Sequence, residues 1–140
     1  MAQLYPDAET FEDLYTRLFR DIEESDPDRM DPLIRSKMII CFDVTEPTIE
    51  MWVDGRSKPV VVSFGESDLK PTLTARLTGD TLHELLLGTL PLGRSLSSRR
   101  LKVKGSKFKA LKLESLLHAC QAAYPPLAEE LFGDEASDDD

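Results

Sequence analysis

Few side chains in this sequence are suited to chemistry. There are two histidines, His83 and His118, and two cysteines, Cys41 and Cys120. Zinc needs several nitrogen or sulfur ligands at set spacings, and neither histidine has a second ligand-type residue so placed. His118 and Cys120 are two residues apart, which puts them on different sides of a helix. The Ser-x-x-Lys pattern, in which a lysine can activate a serine nucleophile, occurs at Ser67 to Lys70 in a loop and at Ser106 to Lys109 at a helix start. The second copy reads as an N-cap followed by a solvated lysine. Gly-x-Ser-x-Gly, Gly-x-Gly-x-x-Gly and phosphate-loop patterns do not occur. The carboxylate pairs Glu23-Glu24 and Glu129-Glu130 fall on polar helical faces, where hydration accounts for charge. The expectation is a protein with no catalytic residues, no metal site and no cofactor.

The 140 residues make a one-domain length, enough to bury roughly 70% of the unfolded surface. With 26 acids against 17 bases the net charge is −9, and 41% of the residues are apolar. Such a chain repels phosphate, which argues against nucleic acid as a partner. Two distant cysteines in apolar surroundings do not make a disulfide scaffold and are expected as buried free thiols. The start, Met1 to Asp7, has neither the basic residues nor the apolar run of a signal peptide. A cytoplasmic location is therefore expected.

The elements that would position any site follow from periodicity. Phe11, Leu14, Tyr15, Leu18, Phe19 and Ile22 repeat on one helical face, predicting a helix from Thr10, its N-cap, to about Glu24. A short helix starts at Pro32 and stops before Lys37. The period then becomes two: residues 38–44, 48–53 and 59–64 read as an antiparallel meander. Residues 73–77 and 101–104 alternate strictly, with Thr74, Arg76, Lys102 and Lys104 on the polar face. Between them lies a helix over 81–87, opened by a Thr81-x-x-Glu84 capping box and closed by Gly88. A crossover of this length predicts parallel pairing of the flanking strands. Ser106 then caps a helix to about Ala122 with Ala110, Leu113, Leu117 and Cys120 on its apolar stripe and Lys109 and Lys112 outside it. Pro125-Pro126 ends it, and a last short helix carries Leu127, Leu131 and Phe132. The predicted fold is α+β, a five-stranded mixed sheet covered on one face by helices. Residues 1–133 form its single domain, and 134–140 form a disordered acidic tail.

Two features exceed what a plain core requires. Leu82, Leu85, Leu86, Leu90, Leu92 and Leu96, with Phe42, Met51, Val62 and Phe64 across the sheet, can all be core, yet Gly88 to Leu96 is an apolar connection that must lie over something. The second feature is charge segregation: residues 85–113 hold eight bases and no acid, leaving the remainder at −17. Arg100, Lys102 and Lys104 alternate and so share a strand face. That ridge is either a solvated edge, a meeting point for acidic segments of this chain or of a second copy, or a docking surface for an anionic membrane.

Leu85-Leu86-Leu87-Gly88, Leu90-Pro91, Leu101-Lys102-Val103-Lys104-Gly105 and Ala110-Leu111-Lys112-Leu113 occur in the order seen in the sterol carrier protein type 2 family, which the chain resembles over about residues 10–132. The resemblance implies a sheet and helices enclosing an apolar tunnel for a sterol, fatty acid, acyl-CoA or phospholipid, with no covalent reaction. Its walls would be the Leu82 helix, the Leu90-to-Leu96 connection and the sheet face, with Leu131 and Phe132 on a C-terminal lid. The chain departs from the family at Arg99, where a glycine is common, and at Leu96 and Ser97, where bulky aromatics are. It ends in Asp138-Asp139-Asp140 instead of a peroxisomal address. The alternative is a module of the same fold whose leucines fill the cavity, acting as a homodimer or docked to an enzyme.

Overall fold

A computed structural model describes residues 4–105 and 107–137 of the chain. Its elements are α1 (Ala8–Ser25), a 3-10 turn (Pro27–Met30), α2 (Asp31–Ser36), β1 (Ile39–Thr45), β2 (Ile49–Asp54), β3 (Val61–Phe64), β4 (Leu73–Thr78), α3 (Gly79–Leu87), α4 (Leu92–Ser97), β5 (Lys102–Gly105) and α5 (Lys107–Ser137). The strands form one sheet in the order β3-β2-β1-β4-β5. The sheet is mixed: β1 and β4 are parallel, and every other pair is antiparallel. Among the described residues no helix is long and apolar enough to cross a membrane.

Register explains how the sheet makes a wall. Phe64, Met51, Phe42, Ala75 and Val103 are aligned partners across all five strands. Side chains alternate along each strand, so this row and the next, Val62, Val53, Ile40 and Leu73, present one continuous apolar face. Onto it pack Phe11, Leu14, Tyr15, Leu18 and Ile22 of α1, Leu82, Leu85 and Leu86 of α3, and Leu113, Leu116, Leu117 and Cys120 of α5, all buried. The opposite face holds a smaller cluster, Ile39, Cys41 and Trp52, with Leu69 against it. The Trp52 indole donates to the Gly65 carbonyl at 2.9 Å, which fastens the β3–β4 loop over this patch. The β4–β5 end of that face is polar, as expected.

Several local readings are corrected. Asp7, not Thr10, caps α1, its carboxylate accepting from the Thr10 amide at 2.8 Å. Thr78 caps α3 in place of Thr81, accepting from the Thr81 amide at 3.1 Å. The capping-box glutamate, Glu84, is engaged by Arg100 instead. Gly88 does end α3, in the left-handed conformation at φ +81°. The connection after it contains a helix, α4, over residues 92–97.

β4 and β5 are antiparallel, contrary to the crossover expectation: Arg76 is opposite Lys102 and Leu73 opposite Gly105. The Gly88 bend stops α3 after nine residues, α4 turns the chain again, and the excursion returns to the end of the sheet it left. Gly105 is required at that edge, with φ +139° and a Cβ that would lie 2.9 Å from the Thr72 carbonyl oxygen.

The proline pair does not break the last helix. Pro125 and Pro126 lie inside α5, which continues to Ser137, four residues into the stretch read as a tail. The missing amide hydrogens sacrifice helical bonds. Burial of Tyr124, Leu127 and Ala128 on either side of the pair holds the helix together regardless. The Ser106 cap, the side chains of Lys109 and Ala110 and the segment Asp138 to Asp140 lie outside the described residues.

Candidate ligand site

The helices and the sheet face converge on a small apolar cavity lined by Tyr15, Phe19, Phe42, Met51, Leu82, Leu86, Leu116, Leu117 and Cys120. Its volume is about 10 Å³, less than a water molecule occupies in the liquid. Four expected wall residues, Phe42, Met51, Leu82 and Leu86, are thus brought together with the side chains that close the space between them. Two surface clefts adjoin it. One of about 300 Å³ lies between α1 and β3, with Met30, Pro59, Val60 and Val62 on its floor and Arg20, Glu23 and Glu24 on its rim. Phe19 lines both this cleft and the cavity. The other, about 260 Å³, is lined by Leu85, Leu90, Leu92, His118 and Gln121, and shares Leu117 with the cavity.

The remaining expected residues are placed as follows. Phe64 is half-buried in the cross-sheet row with Met51. Leu96 and Leu131 are 39% and 44% exposed and line neither the cavity nor the clefts. Phe132 packs edge-on against Tyr5 and His83, with centroid distances of 5.6 and 5.8 Å. The C-terminal stretch therefore covers a polar cluster, not an opening.

That cluster is the feature sequence reasoning missed. The hydroxyls of Tyr5 and Tyr15 are 2.8 Å apart, those of Tyr5 and Tyr124 2.5 Å, and the Tyr124 hydroxyl is 2.6 Å from His83 Nδ1. All three tyrosines are fully buried. The N-terminal segment that carries Tyr5 is anchored by the Leu4 amide, which donates to Asp80 Oδ1 at 2.9 Å. Burial drives the phenols of Tyr5 and Tyr15 far above their usual range and that of Tyr124 to about 12, so they remain neutral donors. Burial also lowers His83, against the opposing pull of Asp80 and Glu84. The thiols of Cys41 and Cys120 are free, buried and pushed up to about 12, mainly by desolvation, so neither is a thiolate nucleophile. The one available signal was Tyr15 within an apolar stripe, because a buried phenol needs a partner.

The basic ridge is shorter than alternation predicts. Arg100 precedes β5, and its guanidinium donates to the Glu84 carboxylate and, at 3.2 Å, to Thr81 Oγ1. Lys102 and Lys104 stay exposed on the outer face beside Arg76, which is paired with Asp43 at 3.0 Å. Among the described residues no group of three or more His, Cys, Asp or Glu could hold a metal ion.

Residues 19–118 match the family model described as the SCP-2 sterol transfer family. No curated protein matches the chain. Among solved structures, the apo sterol carrier protein 2 of Yarrowia lipolytica is similar at 21% identity and a TM-score of 0.61, over 75% of this chain and 88% of that one. The sterol carrier protein domain 2 of Helicoverpa armigera is similar at 16% identity and 0.64, over 81% and 89%. A UbiJ-SCP2 ubiquinone synthesis protein is similar at 14% identity and 0.62, over 80% and 88%. At these identities the structural likeness establishes the fold.

Proposed function

The chain belongs to the SCP-2 sterol transfer family, and from this we propose that it binds a hydrophobic lipid between the sheet face and its helices and transfers or presents it without covalent chemistry. The observation that carries this reading is the cavity bounded by Phe42, Met51, Leu82 and Leu86, which shares the Phe19 side chain with a cleft of about 300 Å³. That cleft is the size at which small-molecule pockets begin. Displacing Phe19 joins the two spaces. A chain of a dozen carbons then gains roughly 10 kcal/mol of gross burial, comparable to the ~4–15 kcal/mol cost of association. Leu85, Leu90 and Leu92 line the second cleft and serve as its outer wall in this reading. Val62 lines the first cleft and Phe64 flanks Met51 across the sheet.

Lys102 and Lys104 are the contact for an anionic membrane surface. At about 1 kcal/mol per basic residue, two lysines support a brief encounter and not stable docking. Native mass spectrometry of protein purified without detergent, followed by displacement of the fluorescent fatty acid cis-parinaric acid, tests the lipid reading. A lipid adduct and saturable displacement are expected. An unliganded chain that binds no probe overturns it.

The 10 Å³ cavity favours a second reading, in which the leucines and Phe19 fill the interior permanently and the domain acts through its surface, as a homodimer or docked to an enzyme. Salt-dependent oligomer size in sedimentation supports that reading. A monomer at every salt concentration counts against it.

A further inference from the structure

The two edges of the sheet are built differently. At one edge β5 carries exposed Lys102 and Lys104, the usual protection against unwanted strand pairing. At the other edge the β3 segment runs Val60-Val61-Val62-Ser63-Phe64 without a charge, and Val61 is 53% exposed. An uncharged apolar edge is a template for another strand.

Register fixes which backbone groups that edge offers. The Gly65 amide donates to the Glu50 carbonyl at 2.9 Å, so residues 61, 63 and 65 are the ones hydrogen-bonded to β2, and the residues between them are not. The amides and carbonyls of Val60, Val62 and Phe64 therefore point away from the sheet, and among the described residues no other backbone bond reaches them. Pro59, which lacks an amide hydrogen, bounds this strip on one side, and Gly65, in left-handed backbone at φ +90°, bounds it on the other. The strip is symmetric about Val62. Val60 and Val62 also floor the cleft of about 300 Å³ beside α1, so apolar surface lies open next to the free backbone.

We infer that β3 is the pairing edge for a second copy of this chain, joined antiparallel about a two-fold axis at Val62. In this register Val62 stands opposite the second copy's Val62 and Val60 opposite its Phe64. Every outward amide and carbonyl of the strip is then paired, about six hydrogen bonds in all. A shifted register leaves some of them bare. Val60, Val62 and Phe64 pack on the helix-covered side, so the apolar faces of the two sheets run on into one another. The axis turns the two cleft rims toward each other, each with Arg20 beside Glu23 and Glu24, which lets the base of either copy meet acids of the other. Pairing also stops at two copies, because both outer edges of the joined sheet are then β5 with its lysines. The dimer does not depend on whether the cavity takes lipid.

A five-residue strip is a small interface, so sedimentation velocity of the full chain should show the dimer at concentrations on the order of 100 μM. Backbone and apolar groups hold it, so it should persist from low to high salt. A monomer at that concentration, or a dimer that salt dissolves, overturns the inference. Val61→Lys with Ser63→Lys, both at exposed positions, sets lysine directly opposite lysine and should weaken the dimer about tenfold. An unchanged dissociation constant overturns it as well. Cross-linking keeps the test decisive should the double variant fail to fold. Val62→Cys under mild oxidation should give a disulfide dimer on a non-reducing gel, since Cα atoms of such a pair lie about 5.5 Å apart, within disulfide reach. Lys102→Cys on the β5 edge should stay monomeric, and the native thiols of Cys41 and Cys120 are buried and do not compete. Equal cross-linking of the two variants, or none at Val62→Cys, overturns the inference. None of these outcomes bears on the cis-parinaric acid test of lipid binding.

Discussion

His83 is where pH acts on this fold through a single side chain. Its folded pKa lies below the ordinary value near 6.5, chiefly through burial, so the folded state prefers it neutral, with Nδ1 hydrogen-bonded to the Tyr124 hydroxyl. Above pH 6.5 both folded and unfolded chains carry it neutral and it adds no slope. Below that, the unfolded chain binds the proton first, so this contribution to stability falls with pH until the folded pKa is passed. His83→Asn retains an acceptor without titrating. The loss in Tm between pH 7.5 and 5 should be smaller for this variant than for the unaltered protein, and equal losses would remove the residue from the account. Gly79→Ala tests packing at the same end of the molecule. Its Cβ would meet the Glu46 carbonyl oxygen at 2.7 Å and the Tyr5 ring at 2.8 Å, and overpacking of this kind costs ~1–3 kcal/mol, readable by chemical denaturation. At this scale the sequence was legible where one spacing sufficed. Leu82, Leu85 and Leu86 face the interior as their period requires. The cap of α3 was misplaced because Thr78 and Thr81 both suit the position and stand one turn apart. The tyrosine chain was invisible because Tyr5 and Tyr124 are 119 residues apart, and no local pattern marks partners that only the fold brings together.

At the scale of elements, the strands were readable because alternation and turn residues act locally, and all five lie within two residues of their expected limits. Connectivity was less so. The β4–β5 pairing depends on the direction in which two short helices send the chain, and α5 survives its prolines because α1 and α3 supply the packing that a lone helix lacks. Gln121 shows that dependence directly, its side-chain amide donating across to the Leu85 carbonyl at 3.0 Å. The candidate site was half legible for the same reason. Sheet and α3 residues were assigned to the wall, but Tyr15 and Phe19 of α1 were read only as members of a helical stripe, since nothing in such a stripe says which of its members borders a void. Phe19 carries an element-level prediction. Phe19→Ala removes the side chain that lines both the cavity and the α1–β3 cleft, so, on the proposed lipid-binding reading, association of cis-parinaric acid should accelerate severalfold in stopped-flow mixing. Val62→Trp, which fills the cleft from the strand side, should slow it. Unchanged association in both variants would place the way in elsewhere, with the cleft beside Leu117 the next candidate.

At the scale of the whole molecule, charge decides how lipid transfer could meet a membrane. The net −9 repels an anionic surface, and only the block at 85–113, with eight bases and no acid, opposes it. Folding trims that block: Arg100 is committed to Glu84, and the neighbouring Arg76 to Asp43, which leaves Lys102 and Lys104 as the forward-facing cations of the β4–β5 face. Two lysines give about 2 kcal/mol at the surface of an anionic bilayer, decaying over a Debye length of ~8 Å in physiological salt. This suits the proposed role as a lipid carrier, which must leave a membrane as readily as it arrives. Stable binding to vesicles should therefore be undetectable by sedimentation in physiological salt. Transfer of cis-parinaric acid to acceptor vesicles should still quicken when phosphatidylserine rises from none to about a third of the lipid, where the surface potential drives the encounter. High salt should erase the gain by screening, and Lys102→Glu with Lys104→Glu should abolish it while leaving equilibrium affinity for the probe unchanged, since both side chains point away from the cavity. A transfer rate indifferent to acceptor charge would mean that lipid passes through water between membranes, and the ridge would then be no more than a solvated edge strand.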